Sequence, residues 1–137
     1  MERTVRALKY CQYIDNDKLE KLLCERSDFM FEMSKRWKDA GIAALVTPCF
    51  PTCAFKSEDA DDMGVLFDYT FLWNNLTYPS GTFPVTTIKE DEQSYEDQYN
   101  DGLTYFLKKT MENSKGMPIG IQITSHSYED EKCLAVM

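Results

Sequence analysis

The sequence predicts an α/β fold in which the strands of a mixed sheet are flanked by helices. Three apolar runs have the length of strands, at residues 42–47, 83–88 and 117–124. Each run carries apolar side chains at both odd and even positions, which is typical of a strand buried on both faces of a parallel or mixed sheet. The stretches between the runs repeat large apolar residues at helical spacing, so we expect a helix in each connection.

The composition is that of a globular protein. Of the 137 residues, 43% are hydrophobic and 13% aromatic, too many for a disordered chain. The formal net charge of −8 repels phosphate groups, so nucleic acid is excluded as a partner. Five cysteines without a disulfide-framework spacing indicate reduced thiols and an intracellular location. Since Cys49 and Cys53 are spaced CxxxC and the chain has one histidine, we expect no metal and no cofactor.

Residues 1–14 predict a short helix with Arg3, Arg6 and Lys9 on one side. A basic stripe of this kind either faces a membrane surface or is a solvated helix face. We therefore treat residues 1–16 as an N-terminal helix of uncertain role.

A long first helix is predicted to follow Asp17, which forms a capping-box pattern with Glu20. Its apolar residues continue at helical spacing to Trp37. Gly41 is expected to end this helix at the C′ position, where glycine tolerates the left-handed conformation.

Three further helices are expected. One, at residues 63–77, is rich in large apolar side chains and ends at a Pro-Ser-Gly turn. Another is expected to begin at Ser94, with Asp97 assisting the cap, and to close before Gly116. The last is expected to begin at Ser127, with acidic residues in its first turn, where the helix dipole favours them.

Strands with apolar side chains on both faces need neighbours and cover on both sides. Four helices around three strands cover only part of such a sheet and leave two strand edges exposed. We therefore expect this chain to be a portion of a larger domain that supplies the remaining strands.

Five motifs occur in an order and with gaps typical of one enzyme family. They are Trp37-x-x-Ala40-Gly41-Ile42 with Leu45-Val46-Thr47-Pro48, Tyr69-Thr70-x-Leu72-x-Asn74 with Tyr78-Pro79-Ser80-Gly81-x-x-Pro84-Val85-Thr86-Thr87, Asp91-Glu92, Leu107-Lys108-Lys109, and Ser114-x-Gly116-x-Pro118-x-Gly120-x-Gln122 ending in Glu131-x-Cys133-Leu134. With these motifs, residues 17–137 resemble the C-terminal part of the amidase-signature hydrolases, and most closely the fatty-acid amide hydrolase branch.

The resemblance implies a partial amidase-signature fold and an enzyme of lipid metabolism that hydrolyses linear amides. In that family a serine attacks the amide carbonyl, while a second serine and a lysine relay the proton. This chain has no Gly-Gly-Ser-Ser-Gly-Gly loop. Ser80 lies where the family has a small structural residue, and Lys108 and Lys109 match a non-catalytic place. No catalytic residue is therefore assigned, and the chain alone is expected to be inactive.

What the resemblance does imply is a wall of the substrate channel, because the helix that matches residues 63–77 lines the acyl channel in the fatty-acid amide branch. The substrate-binding candidates are Met63, Phe67, Thr70, Phe71 and, on the third helix, Leu103. An aromatic stripe on a helix is also a feature of ordinary core packing, so both interpretations are kept.

Two polar features have alternative interpretations. His126 is a candidate base, but no serine or cysteine partner is indicated for it, which favours a polar role at the entry of the last helix. The triplet Asn75-Leu76-Thr77 fits the glycosylation sequon. Its place in an apolar helix and the reduced cysteines argue against its use.

Two functional hypotheses follow. In the first, the chain is part of a serine-dependent amidohydrolase and contributes sheet strands and channel wall, with a lipid amide as the substrate of the intact enzyme. In the second, it is a catalytically inactive amidase remnant that acts as an interaction module through an exposed sheet edge and its aromatic helix. A homodimer and peripheral membrane contact of the full-length protein are compatible with both.

Overall fold

The structure is a computed structural model that describes residues 14–60, 66, 68–96, 98–99 and 101–137, with the side chain of Leu103 excepted. The helix expected at residues 1–14 lies outside the described residues, Ile14 excepted. The expected start of the second helix, at residue 63, lies outside them as well.

The described residues form four helices, three strands and a short 3₁₀ turn. In chain order they are α1 (Asn16–Asp39), β1 (Leu45–Pro48), the 3₁₀ turn (Ser57–Asp59), α2 (Asp68–Leu76), β2 (Ser80–Thr87), α3 (Gly102–Met111), β3 (Pro118–Thr124) and α4 (Asp130–Val136). The predicted α/β class is confirmed, and each predicted strand is found with somewhat shifted ends. Among the helices so described, none has both the length and the apolar character needed to cross a membrane.

The three strands form one antiparallel sheet in the order β1-β3-β2. Thr124, at the end of β3, lies opposite Leu45 of β1 on one side and Ser80 of β2 on the other. A bulge between Pro84 and Thr86 interrupts β2. Proline is tolerated at a bulge because it has no N–H to donate to the neighbouring strand. Within the described residues no further strand pairs with the outer edge of β1 or of β2.

Part of the sheet is open to solvent. Val46 of β1 and Val85 of β2 are 56% and 49% exposed, whereas Ile123 of β3 is buried. The two outer strands are therefore only partly covered within this chain, as expected for four helices around three strands. Part of the cover is supplied by α4, which packs against β2 and β3 but has only 7 residues.

A cluster of aromatic rings joins α1, α2 and the residues that lead into β2. The ring of Trp37 on α1 lies 5.4 Å from that of Tyr78 and 6.4 Å from that of Trp73, centroid to centroid, and both contacts are edge-to-face. Such pairs contribute about 0.5–1.5 kcal/mol beyond the burial of their area. Arg26 of α1 also donates from Nε to the carbonyl of Asn75 at 2.9 Å, which fixes the end of α2 against α1.

The helix α1 begins after Asp15 and not at the predicted cap Asp17. The Asp15 side chain accepts the N–H of Lys18 at 2.8 Å, and this bond satisfies one of the N–H groups that the first helical turn leaves without a partner. At the other end the predicted role of Gly41 is confirmed. Its φ is 64°, and its N–H bonds to the carbonyl of Lys38, as in a Schellman helix end.

The helix α3 begins at Gly102 and not after Ser94 as predicted. The Asp101 carboxylate accepts the N–H of Thr104 at 2.8 Å, and the Thr104 hydroxyl accepts the N–H of Asp101 at 3.1 Å. This reciprocal box satisfies two donors at once, so it is a stronger start signal than a serine cap alone. Asp97, predicted to assist Ser94, lies outside the described residues.

The helix α4 begins at Asp130, later than the predicted Ser127. Tyr128 has a φ of 65°, and the N–H of Glu129 bonds to the carbonyl of His126 at 3.0 Å. These residues therefore form a tight turn, which a helix cannot include because of the positive φ.

Gly41 and Thr77 each follow the end of a helix in the left-handed conformation, with φ values of 64° and 56°. We expect Gly41→Ala to lower the free energy of unfolding by about 1 kcal/mol, because a Cβ is strained at this φ although no atom lies within 4 Å of it. Thr77→Gly is expected to raise the free energy of unfolding by about 0.5–1 kcal/mol, because it removes a β-branched side chain that is strained in the same left-handed conformation. Urea denaturation followed by tryptophan fluorescence measures both, and effects of the same sign would contradict the described helix ends.

The hydroxyl of Tyr78 is buried and, in the part of the chain that is described, has no hydrogen-bond partner. Burial raises the pKa of this phenol above its ordinary value of 10.0. The folded protein therefore holds this proton where the unfolded chain loses it, so stability falls as the pH rises above about 10. We expect Tyr78→Phe to preserve or raise the free energy of unfolding at neutral pH, since an unpaired buried hydroxyl is removed.

The same variant is expected to lose less stability in alkali than the wild type. Urea denaturation of both proteins at neutral pH and between about pH 9 and 11 measures the difference. If the two proteins lost stability with equal steepness in alkali, the buried position of the Tyr78 hydroxyl would be wrong.

Candidate functional site

An apolar cleft lies beside the sheet where the chain leaves β1. Its volume is about 330 Å³, and its lining is mostly apolar. The walls come from the segment that follows β1, from Thr82, Phe83 and Pro84 of β2, and from Pro118 and Gly120 of β3. Clefts of this size and character bind small apolar ligands.

Close packing between the end of β1 and β3 shapes the cleft. A Cβ on Gly120 would lie 2.9 Å from the Sγ of Cys49, so a glycine at this position lets the cysteine lie against the sheet. The rings of Phe50 and Phe55 are 5.2 Å apart, and both pack against the cluster formed by the buried Leu66 and Leu107. The aromatic wall of the cleft is therefore supported by this cluster, to which α3 contributes Leu107.

The five residues predicted to form the channel wall are only partly described. On α2, Thr70 is half-buried and Phe71 is 62% exposed. Neither lines the cleft. Met63, Phe67 and the side chain of Leu103 lie outside the described residues, so a single wall built from all five stays a prediction.

A serine and the histidine meet where α1 passes the end of the sheet. The Oγ of Ser34 lies 2.8 Å from Nε2 of His126, although the two residues are 92 positions apart in the sequence. Nδ1 of the same ring lies 3.2 Å from the carbonyl oxygen of Ser127, and the ring of Tyr78 contacts the imidazole with centroids 5.3 Å apart. The sequence indicated no serine partner for His126, and the structure places Ser34 beside it.

The other polar side chains that the sequence analysis singled out make structural contacts. The hydroxyls of Ser80 and Thr124 are 2.8 Å apart and join β2 to β3. Lys109 Nζ lies 3.3 Å from the carboxylate of Asp59. The first contact therefore joins two strands, and the second joins α3 to the 3₁₀ turn.

The carboxylate of Glu129 lies close to the histidine. The Lys132 ammonium, 2.6 Å from the carboxylate of Glu129, lowers the pKa of that carboxyl by a hydrogen bond, and His126 contributes in the same direction. A negative charge therefore lies beside the turn that carries the imidazole at neutral pH.

The described residues contain no group of three or more histidine, cysteine, aspartate or glutamate side chains placed to hold a metal ion.

Sequence reasoning missed both the cleft and the serine–histidine contact. A signal for the cleft was present, since Phe50 and Phe55 interrupt an otherwise turn-like, proline-containing segment directly after a strand. No local signal existed for Ser34, which is an ordinary polar residue on a helix until the fold places it against His126.

Known proteins resemble the chain along most of its length. A family model described as Amidase matches residues 3–134. Fatty-acid amide hydrolase 1 of Sus scrofa is 25% identical over 124 residues, which are 88% of this chain and 21% of that protein. Fatty acid amide hydrolase 1 of Caenorhabditis elegans is 36% identical over 72 residues, which are 50% of this chain and 13% of that protein.

A solved structure of a fatty acid amide hydrolase has the same fold over this region. It matches with a TM-score of 0.65 at 20% sequence identity, covering 90% of this chain and 22% of that one. The chain thus spans about a fifth of the length of the relatives that it matches over most of its own length.

The cleft makes a prediction for the cysteines. Cys49 is half-buried in the cleft lining and Cys24 is exposed on α1, whereas Cys53 and Cys133 are 2% and 4% exposed. We expect a maleimide to modify Cys24 and Cys49 in the folded chain and to spare Cys53 and Cys133 until urea unfolds it, because a buried thiol must await local opening. Peptide mass spectrometry identifies the sites, and modification of Cys53 ahead of Cys49 would contradict the described cleft.

Proposed function

Because the chain belongs to the amidase family, we propose that it forms part of a serine-dependent amidohydrolase that cleaves linear amides, with fatty-acid amides as its substrates. In that enzyme this segment contributes strands of the sheet and a wall of the channel that holds the acyl chain. The proposal assigns the bond-breaking serines and lysine to sequence outside these 137 residues, which contain no Gly-Gly-Ser-Ser-Gly-Gly loop.

The observation that carries the proposal is the exposure of large apolar side chains on a chain of the amidase family. Phe71 on α2 is 62% exposed, and Val46 and Val85 on the outer strands are about half exposed. Where such side chains adjoin, they mark a binding site or an interface. A fatty-acyl chain is a suitable occupant, since each methylene group that leaves water contributes about 0.8 kcal/mol.

We assign the channel wall to Met63, Phe67, Thr70, Phe71 and Leu103. The support for this assignment is the position of α2, which carries Thr70 and Phe71. That helix is anchored at its far end by the aromatic cluster and by the bond from α1, so an acyl chain against it would meet a fixed surface. A rigid wall loses little conformational entropy when it binds a ligand.

A second candidate function is that of a catalytically inactive amidase remnant that binds a partner protein. The outer edges of β1 and β2, unpaired in the described part of the chain, favour it, because an unpaired strand edge accepts a further strand. The two functions differ in the occupant of the apolar surface, which is a lipid chain in the first and a polypeptide in the second.

A fatty-acyl amide with a photoreactive diazirine near the end of its acyl chain tests the wall. We expect photolysis to label the peptide that contains Phe71, and excess oleamide to suppress this label. Phe71→Ala should reduce the labelling severalfold, because the acyl chain loses its aromatic contact. Phe31→Ala is the matched control, since Phe31 is a 75% exposed phenylalanine on another helix.

Labelling centred on Phe31, or spread evenly over the exposed aromatic residues, would contradict the assigned wall.

Hydrolysis of oleamide tests where the catalytic groups lie. The chain is expected to release no ammonia from it, and steady release would overturn the placement of the catalytic groups outside these residues.

A further inference from the structure

The contact between Ser34 and His126 has the geometry that general-base activation of a serine requires. A carbonyl oxygen can only accept a hydrogen bond, so in a neutral imidazole the ring proton is assigned to Nδ1 of His126, 3.2 Å from the carbonyl of Ser127. Nε2 then has a lone pair, and the Ser34 hydroxyl, 2.8 Å away, donates to it. This is the arrangement of a nucleophile, its base and an orienting group.

Both partners lie on elements that the fold holds in place. Ser34 lies in the interior of α1, three residues before Trp37 of the aromatic cluster. His126 lies in the turn between β3 and α4, against the ring of Tyr78 from the same cluster. The buried aromatic cluster therefore fixes the distance between the serine and the histidine, as a preorganised pair requires.

A reagent can reach the serine from solvent. Ser34 is half-buried and lines a surface hollow of about 230 Å³ together with Phe31, Lys35, Lys38 and Asp39. Among the described residues neither lysine takes part in an ion pair. Two ammonium groups and one carboxylate give the hollow a net positive charge, which favours an anionic ligand.

We propose that Ser34 is a histidine-activated nucleophile that accepts acyl groups from activated esters bearing an anionic group. The Ser34 Oγ forms a bond to the acyl carbon while its proton passes to Nε2 of His126, and the bond from the acyl carbon to the leaving oxygen breaks. The leaving group takes the proton from Nε2, or departs as a phenolate, in which case the imidazolium releases the proton to water. Water, with His126 again as base, then hydrolyses the acyl-serine.

The position of Ser34 also limits this chemistry. In the interior of a helix the backbone N–H groups are committed to helical hydrogen bonds, so they offer no oxyanion hole. Esters with good leaving groups are therefore substrates, and unactivated amides are not.

A fluorophosphonate and two aryl acetates, one neutral and one with a ring carboxylate, test the proposal on the whole chain. We expect the fluorophosphonate to modify Ser34 as its main site. His126→Ala should slow this reaction about 100-fold, as loss of a general base does, and added imidazole should restore part of the rate. Ser27→Ala is the matched control, because Ser27 lies on the same helix but donates to the carbonyl of Leu23.

The aryl acetates test the substrate class. The carboxylated ester should acylate Ser34 faster than the neutral one, and Lys38→Gln should slow the carboxylated ester more than the neutral ester. Equal effects of Lys38→Gln on the two esters would overturn the anionic class.

Modification spread over several serines, or a rate that His126→Ala leaves unchanged, would overturn the proposal for Ser34. A loss of the fold in His126→Ala would show as a shifted urea midpoint, and the imidazole rescue separates a lost base from a lost structure. The oleamide measurement concerns the amidase proposal alone, so the two proposals fail independently.

Discussion

The central strand β3 holds the described structure together. The outer strands β1 and β2 do not pair with each other, and each is held in the sheet by its hydrogen bonds to β3. Since β3 comes last of the three in the sequence, both pairings close long loops, β1 to β3 being the longer. Closing such loops costs conformational entropy before the contacts form. The sheet therefore depends on the burial of β3 side chains to offset this cost.

The buried end of β3 is where most elements converge. Thr124 and Ser125 are completely buried. The Thr124 hydroxyl meets that of Ser80 on β2, and Ser125 bonds to the carbonyls of Pro79 and Glu129. The next residue, His126, meets α1. Polar groups buried in this way must be paired, and their pairing positions α1, β2 and α4 around one point.

Local patterns in the sequence predicted what depends on local energetics. The strand-length apolar runs and Gly41 were identified correctly because a strand and a left-handed helix end each depend on residues close together in the chain. The starts of α1 and α3 were misplaced because several polar residues compete for each cap, and the structure has the cap bonds at Asp15 and Asp101. The α/β class could be predicted from the alternation of helices and strands, without knowing which strands pair.

Long-range features were beyond such patterns. The strand order β1-β3-β2 and the antiparallel pairing are set by contacts between segments far apart in the chain. The same is true of Ser34 and His126, and of the cleft between Cys49 and Gly120. Partial cover of the sheet was expected, but an apolar run does not show which side chains stay exposed, so Val46 and Val85 could not be named.

Amide hydrogen exchange in the isolated chain, followed residue by residue by NMR, is the most direct test of a sheet organised by β3 with two open edges. We expect slow exchange at the N–H groups of β3 after Pro118, since they are directed at one neighbour or the other. In β1 and β2 only every second amide, the one directed at β3, should be protected. Protection of the outward amides in both outer strands would contradict the account, because it requires partner strands that the described sheet does not contain.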